Sequence, residues 1–448
     1  LNEVSALDEL LSRMAQRQAI ALRQCGTGCS YKELCMRISI WRERLVDQKI
    51  APCDVVGLRA EFDVEAIALM LALWESGNTV ALLPVSGNIE PFLIDAQVDY
   101  LFSFDAASQW TLDDRRQGQE KHPLLQRLSA QSRSGFIIFS SGTTGRAKAI
   151  LHDVNSFLAY FSASSKALRT VAFLLFDHIA GLDTLLYTLA SGGMLAIPGE
   201  RTPFAICQLI EQTAAQVLPA SPSFFNLLYL SGDYSRFDLS NLEIVSFGSE
   251  PMSESCLARV KDMFPRARLI QKYGSSEFGS PRSRSREGES LWIKMDSDNF
   301  LIKVIDGILW VKSPATMLGY LNFESPALEE GYLCTGDRVE RDGEWMRILG
   351  RDSDSINVGG EKVFPAEVES VIHDFPGVAE VLVYGEANVI LGNTVCAKIR
   401  PSSEVETKLF KKELRRHCVA RLQRYKVPSK IHLVDQSMTG ERFKMLRV

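Results

Sequence analysis

The segment 134–152, SGFIIFSSGTTGRAKAILH, constrains the fold of this chain more than any other stretch. Phe136 to Phe139 is an apolar run of strand length, and the small or flexible residues Ser140 to Arg146 interrupt it before Lys148. A turn rich in Ser, Thr and Gly at the end of a strand lets backbone N–H groups and hydroxyls converge on an anion. The loop therefore reads as a phosphate cradle with a nucleotide as its ligand. The plain alternative is a surface turn between two strands. It is not a Walker A loop: no Gly-x-x-x-x-Gly-Lys-Ser/Thr run is present, so P-loop kinase or GTPase chemistry has no support.

Around this segment, short apolar runs of strand length alternate with longer helical ones. Leu7 to Met14, Tyr31 to Leu45 and Val64 to Trp74 read as helices; Ala19 to Arg23, Val55 to Ala60, Val80 to Leu83 and Val98 to Phe104 read as strands. The pattern predicts an α/β fold with sheets covered by helices. Near residue 300 the texture changes to hairpins, with turns at Asp306-Gly307 and Asp342-Gly343. Gly350 to Asp354 is polar and forms a natural boundary. Beyond it, a helix after Phe364-Pro365, strands at Val378 to Tyr384 and Thr394 to Ile399, and a helical stretch from Glu404 to Leu422 make a small α+β domain. The expected division is 1–352 and 353–448, a large multi-sheet N-terminal domain and a small mobile C-terminal one.

Composition narrows the function classes. A formal charge of −5 over 448 residues leaves no electrostatic footprint for nucleic acid. No run approaches the ~18 consecutive apolar residues of a membrane span, and LNEVSALDELLSRM has no basic start before an apolar stretch. The nine cysteines are scattered, without zinc-site spacing. A cytoplasmic enzyme without a membrane span is the expectation.

Further sites share the nucleotide theme. In IQKYGSSE (270–277), Tyr273 can stack on a base, Gly274 lets a ligand lie against backbone, Ser276 can donate to phosphate, and Glu277 can hold Mg²⁺. In GYLCTGDR (331–338), Asp337 follows a Thr-Gly turn and suits a ribose diol. Each stretch alone is also explained as a turn or a helix cap.

In order, SSGTTGRAK (140–148), FGSEPM (247–252), YGSSE (273–277), TGD (335–337) and GRDSDSINVGGEKVFPAEVE (350–369) resemble the signature blocks of the adenylate-forming superfamily. That superfamily includes acyl- and aryl-CoA ligases, peptide-synthetase adenylation domains and luciferases; aryl-CoA ligases are the nearest in character. The resemblance implies attack of a carboxylate on the α-phosphate of ATP, giving an acyl-adenylate and pyrophosphate, then displacement of AMP by a thiol. It assigns Ser141, Gly142, Thr143, Thr144, Gly145 and Lys148 to phosphate binding, and Gly248, Ser249, Glu250 and Tyr273 to adenine. Gly274, Ser276 and Glu277 would serve the acid, phosphate and Mg²⁺, and Asp337 and Arg351 the ribose. Ser353 falls at the hinge, where the family often has Asp or Lys, and Gly359 and Gly360 would face the pantetheine tunnel. No general base is required, because the attacking acid is already ionised near neutral pH.

One block departs from the family pattern. The usual ending places Thr two residues before Gly-Lys, whereas TGERFKMLR (439–447) puts Phe443 in place of the glycine. Lys444 is the expected adenylation lysine, with Lys430 and Lys426 as weaker candidates. In LLFDHIAGL (174–182), His178 matches the family's pocket histidine, and Asp177 beside it could bond an amino or hydroxyl group. Phe176, Phe224, Phe225 and Phe247 suggest flat walls, hence a compact aromatic acid such as an ortho-amino or ortho-hydroxy benzoate. A small or medium aliphatic acid is the alternative. Coenzyme A is the expected thiol, with a separate carrier protein as alternative acceptor. A non-catalytic nucleotide- or acyl-binding homologue is the reading from another class.

Overall fold

The computed structural model describes residues 5–140, 146–161, 166–286, 291–295, 300–389 and 391–438. Four sheets organise them. In the first, strands 268–271, 244–247, 217–220, 169–171, 194–197 and 20–24 run parallel in that spatial order, and 27–30 closes the edge antiparallel. The second has the order 319–320, 148–153, 135–140, 79–83, 55–59, 100–104, 110–114, with a parallel centre and antiparallel edges. Parallel strands buried on both faces carry continuous apolar runs, as VVGLR and TVALL do.

The helix Val64–Glu75 explains how these two sheets meet. Every residue from Ala66 to Trp74 is buried, so the helix is apolar all round and must lie inside a core. Asp63 caps it, accepting from the N–H groups of Glu65 and Ala66. Its side chains share one cluster with Leu22, Leu195 and Ile197 of the first sheet and Val56, Val80 and Ile138 of the second. Each fully buried leucine or isoleucine there contributes about 1.5–3 kcal/mol.

The third sheet is antiparallel, in the order 283–285, 293–295, 345–351, 332–342, 308–312, 301–305. The hairpin turns expected at Asp306-Gly307 and Asp342-Gly343 are present, with Ile305 paired to Ile308 and Asp342 to Trp345. Its last strand ends at Arg351. One tight turn, Asp352–Asp354, separates it from the fourth sheet, which starts at Ile356. That sheet packs the helices Pro365–His373 and Thr407–Val419 on a core of its own, including Val363, Val368, Ile372, Val395, Ile399 and Leu414. Phe410, Leu414 and Cys418, at i, i+4 spacing, are the buried stripe of the second helix.

The strands Gly135–Ser140 and Lys148–Asp153 form an unbroken antiparallel ladder from Gly135↔Asp153 to Ser140↔Lys148. The Ser/Thr/Gly segment thus joins two paired strands at the rim of the second sheet. Ser141, Gly142, Thr143, Thr144 and Gly145 lie outside the described residues, as does Lys444.

Candidate functional site

Two parallel strands of the first sheet, Ile244–Phe247 and Arg268–Gln271, end side by side with Phe247 opposite Gln271. The Gly248-Ser249-Glu250 and Tyr273-to-Glu277 segments leave from these ends. Glu250 is tied back by Ser223, whose N–H and hydroxyl donate to its carboxylate at 3.2 and 2.7 Å. In the second segment, Ser275 and Gly279 exchange both backbone hydrogen bonds at 3.0 Å. That closure brings Gly274 so near Gly279 that a Cβ would stand 2.4 Å from the Gly279 carbonyl oxygen. Only glycine fits this approach.

The Tyr273 hydroxyl donates to Asp337 Oδ2 at 2.6 Å. Asp337 comes from the third sheet, opposite Arg351 in the ladder, and Arg351 Nε lies 3.5 Å from its Oδ1. The Asp337 N–H donates to Thr335 Oγ1, which in turn donates to the Leu309 carbonyl. Burial raises the Asp337 carboxyl above its ordinary range, while Tyr273 and Arg351 oppose that rise. Burial, then the charge of Asp337, pushes the Tyr273 phenol well up, so it remains a donor. Two residues expected at adenine and ribose, Tyr273 and Arg351, are therefore both held against a third, Asp337.

A second chain of contacts reaches Glu277. Tyr320 donates to Glu277 Oε1 at 3.0 Å, and Lys148 Nζ lies 3.5 Å from the Tyr320 oxygen and 4.8 Å from its ring centre. Tyr320 arrives through a short strand that pairs with Lys148–Asp153. Beneath the loop, His152 contacts the Ser276 carbonyl through Nε2 at 2.7 Å and stacks on Phe136 with ring centres 4.7 Å apart. Burial pulls this histidine down to about 4. It is neutral at pH 7, and Nε2 carries the donated proton. No group of three or more His, Cys, Asp or Glu side chains able to hold a metal occurs among the described residues.

The other expected residues sit as follows. His178 caps the helix Ile179–Ser191, its Nδ1 accepting from the Ala180 N–H, and Asp177 before it is buried. Phe176 packs on Phe62 in the core between the first two sheets, whereas Phe224, Phe225 and Phe247 belong to a second core beneath the first sheet. Gly359 and Gly360, with φ of 62° and 95°, form the two-residue turn between strands Ile356–Val358 and Glu361–Val363. Positive φ at both turn positions matches the hairpin's twist and accounts for the Gly-Gly pair on conformational grounds. Ser353 is exposed in the turn between the third and fourth sheets, and its hydroxyl donates to Asp354. Beside it, Asp352 accepts from both Arg338 and Lys362. Lys426 pairs with Glu367 and Lys430 with Glu386, so both engage carboxylates of their own unit.

Sequence reasoning missed His152, Tyr320, Asp183 and Lys272. His152 ends the apolar run Ala149 to Leu151 and is followed by Asp153, so it had only a weak local signal. Tyr320 had no local signal, because its role depends on a strand pairing across more than 160 residues.

A family model described as AMP-binding enzyme matches residues 12–321, and one described as AMP-binding enzyme C-terminal domain matches residues 367–442. The 2-succinylbenzoate–CoA ligase of Bacillus licheniformis is 30% identical over 348 residues, which are 69% of this chain and 68% of that protein. Acyl-CoA synthetase 7 of Caenorhabditis elegans is 28% identical over 348 residues, covering 70% of this chain but only 64% of that protein's own length. The anthranilate–CoA ligase AuaEII, solved with anthranoyl-AMP, shares the fold with a TM-score of 0.83 at 18% identity, over 98% of this chain and 95% of its own.

Proposed function

This chain belongs to the AMP-binding enzyme family, and from that premise we propose that it activates a compact aromatic carboxylic acid with ATP, releasing pyrophosphate, and transfers the aryl group from the adenylate to coenzyme A. The observation that carries this reading is the contact of Tyr273, Asp337 and Arg351 beside the Glu277–Tyr320–Lys148 chain. An aromatic face, a carboxylate suited to a diol, and a cation with a carboxylate suited to phosphates stand together. Aromatic acids in the names of the 2-succinylbenzoate and anthranilate ligases support the choice of substrate class.

In this mechanism Asp337 accepts hydrogen bonds from the ribose hydroxyls, with Arg351 holding the carboxylate in place. Lys148 and the N–H groups of the Ser141–Gly145 loop counter the charge that builds on phosphoryl oxygens as pyrophosphate leaves. Gly248, Ser249, Glu250 and Tyr273 flank adenine; Ser276 and Gly274 lie between nucleotide and acid. Mg²⁺ fits at Glu277: one carboxylate suffices when nucleotide phosphates and water complete the shell, and the ion supplies charge neutralisation there. Residues 1–352 and 353–448 act as two units joined at Ser353. Lys444 meets the α-phosphate in the first half-reaction, and the Gly359-Gly360 hairpin meets the thiol in the second.

The test is ATP–pyrophosphate exchange across aromatic and aliphatic acids, followed by thioester formation with coenzyme A or a carrier protein. Exchange confined to aliphatic acids overturns the aromatic assignment. Thioester on the carrier alone overturns coenzyme A as acceptor, and no exchange with any acid leaves a non-catalytic binding protein.

A further inference from the structure

The helix Ile179–Ser191 presents Leu182, Leu185, Leu186 and Leu189 to the core. Within it, Thr184 and Thr188 satisfy their hydroxyls on carbonyls one turn back. Asp183 does not follow that pattern. Its Oδ1 is enclosed and finds no hydrogen-bond partner among the described residues. Burial, then the charge of Asp183, pushes the Tyr160 phenol up, while a hydrogen bond with the Arg282 backbone opposes that rise. Asp183 and Tyr160 both line one narrow crevice, together with Phe157, Phe278, Ser280 and Ala315.

The crevice adjoins the nucleotide loop. Phe278, Gly279 and Ser280 follow Glu277 directly, and the Tyr273 and Phe278 rings are 5.8 Å apart. Lys272, the residue before Tyr273, acts electrostatically on Asp183; burial raises the Asp183 carboxyl to about 7 and lowers the Lys272 ammonium. Arg282 opposes the charge on Lys272 and lies 5.9 Å from the Tyr187 ring. A buried carboxylate oxygen without a donor is costly, and such groups in native folds are commonly completed by a ligand or water.

We propose that Asp183 and Tyr160, with Lys272 balancing charge, form a polar subsite that accepts an amine or hydroxyl substituent on the ring of the activated acid. This rests on the acid-activation reading above, but it places substituent selection at Asp183 rather than at Asp177 and His178, where His178 Nδ1 already accepts from the Ala180 N–H. Asp183 accepts the hydrogen bond from the substituent, and the Tyr160 O–H is the second donor to the carboxylate. Phe157 and Phe278 form the apolar side of the crevice.

The experiment compares pyrophosphate exchange by the full chain on benzoate and on the amino- and hydroxybenzoate isomers, for the wild type, Asp183→Ala and Tyr160→Phe. The wild type should favour at least one substituted acid over benzoate by about tenfold or more in kcat/KM. Asp183→Ala should collapse that ratio while benzoate activity stays within about threefold, and Tyr160→Phe, which keeps the ring, should lower the ratio in the same direction. Folded variants that keep the wild-type ratio, or that lose activity equally on all acids, overturn the subsite. If Asp183→Ala does not fold, Tyr160→Phe decides alone. If the wild type exchanges with no acid, the activation reading falls separately. Calorimetric binding of the same acids then decides the subsite: selective loss of the substituted acid in the variants supports it, and equal or absent binding overturns it.

Discussion

The Tyr273 hydroxyl donates to Asp337 Oδ2 across 2.6 Å, joining a loop at the end of the parallel first sheet to a strand of the antiparallel third sheet. Neither residue is placed by its own segment alone. The loop is held by the Ser275–Gly279 bridge, and the carboxylate is held by Thr335 below and Arg351 opposite. The contact fixes the aromatic ring and the carboxylate relative to one another.

Replacing Asp337 with Ala therefore removes a charged acceptor, worth about 1.5–3 kcal/mol. ATP affinity should fall about tenfold to a hundredfold, with adenylate formation falling alongside. Calorimetric titration of ATP checks this, and an unchanged affinity removes Asp337 from the ribose site.

Stability should fall on the acid side through His152. Its folded-state value near 4 lies below the ordinary 6.5, so the unfolded chain binds the proton more readily. The stabilisation is complete above pH 6.5 and is lost as pH drops toward 4. Between pH 7 and pH 5 the loss is about 2 kcal/mol from this group. His152→Gln keeps a donor for the Ser276 carbonyl and should flatten the thermal-midpoint profile over that range. His373, also lowered to about 4 by burial, leaves a residual slope in the same direction. A variant with the full wild-type slope contradicts the assignment.

Much of the fold was legible because the signals were local. The run Val64 to Trp74 read as a helix and is one, and Asp306-Gly307 and Asp342-Gly343 specify hairpins by backbone conformation. The order of the sequence blocks carried the family, and Asp337 and Arg351 prove to be ladder partners. What escaped depends on long-range packing. Phe224 and Phe225 read as pocket walls, yet they fill a core, because an aromatic residue has the same local signature in either place. Asp183 lay in a helix with a clear apolar stripe, and nothing local marked its oxygen as enclosed.

At the boundary between the third and fourth sheets, Asp352 accepts from Arg338 on one side and Lys362 on the other. Asp352→Ala should free the 352–355 turn and speed proteolytic cleavage there by a few-fold, with the effect shrinking at high salt. An unchanged cleavage rate at low salt means the two ion pairs do not restrain the turn.

Lys444 carries the sharpest kinetic expectation. A cation that meets the α-phosphate only during adenylation contributes to the first transition state alone. Lys444→Ala should lose pyrophosphate exchange by about a hundredfold or more, yet convert preformed aryl-adenylate and coenzyme A at close to the wild-type rate. Equal loss in both half-reactions assigns Lys444 to holding the C-terminal unit in place.

In the proposed function, the Tyr273–Asp337–Arg351 and Glu277–Tyr320–Lys148 contacts form a site where a carboxylic acid is adenylated. Pyrophosphate exchange into ATP, measured on the full chain with Mg²⁺ and a panel of aromatic acids, tests it most directly. Acid-dependent exchange that Asp337→Ala strongly reduces is the expected result; exchange absent with every acid, despite measurable ATP binding, rules the site out.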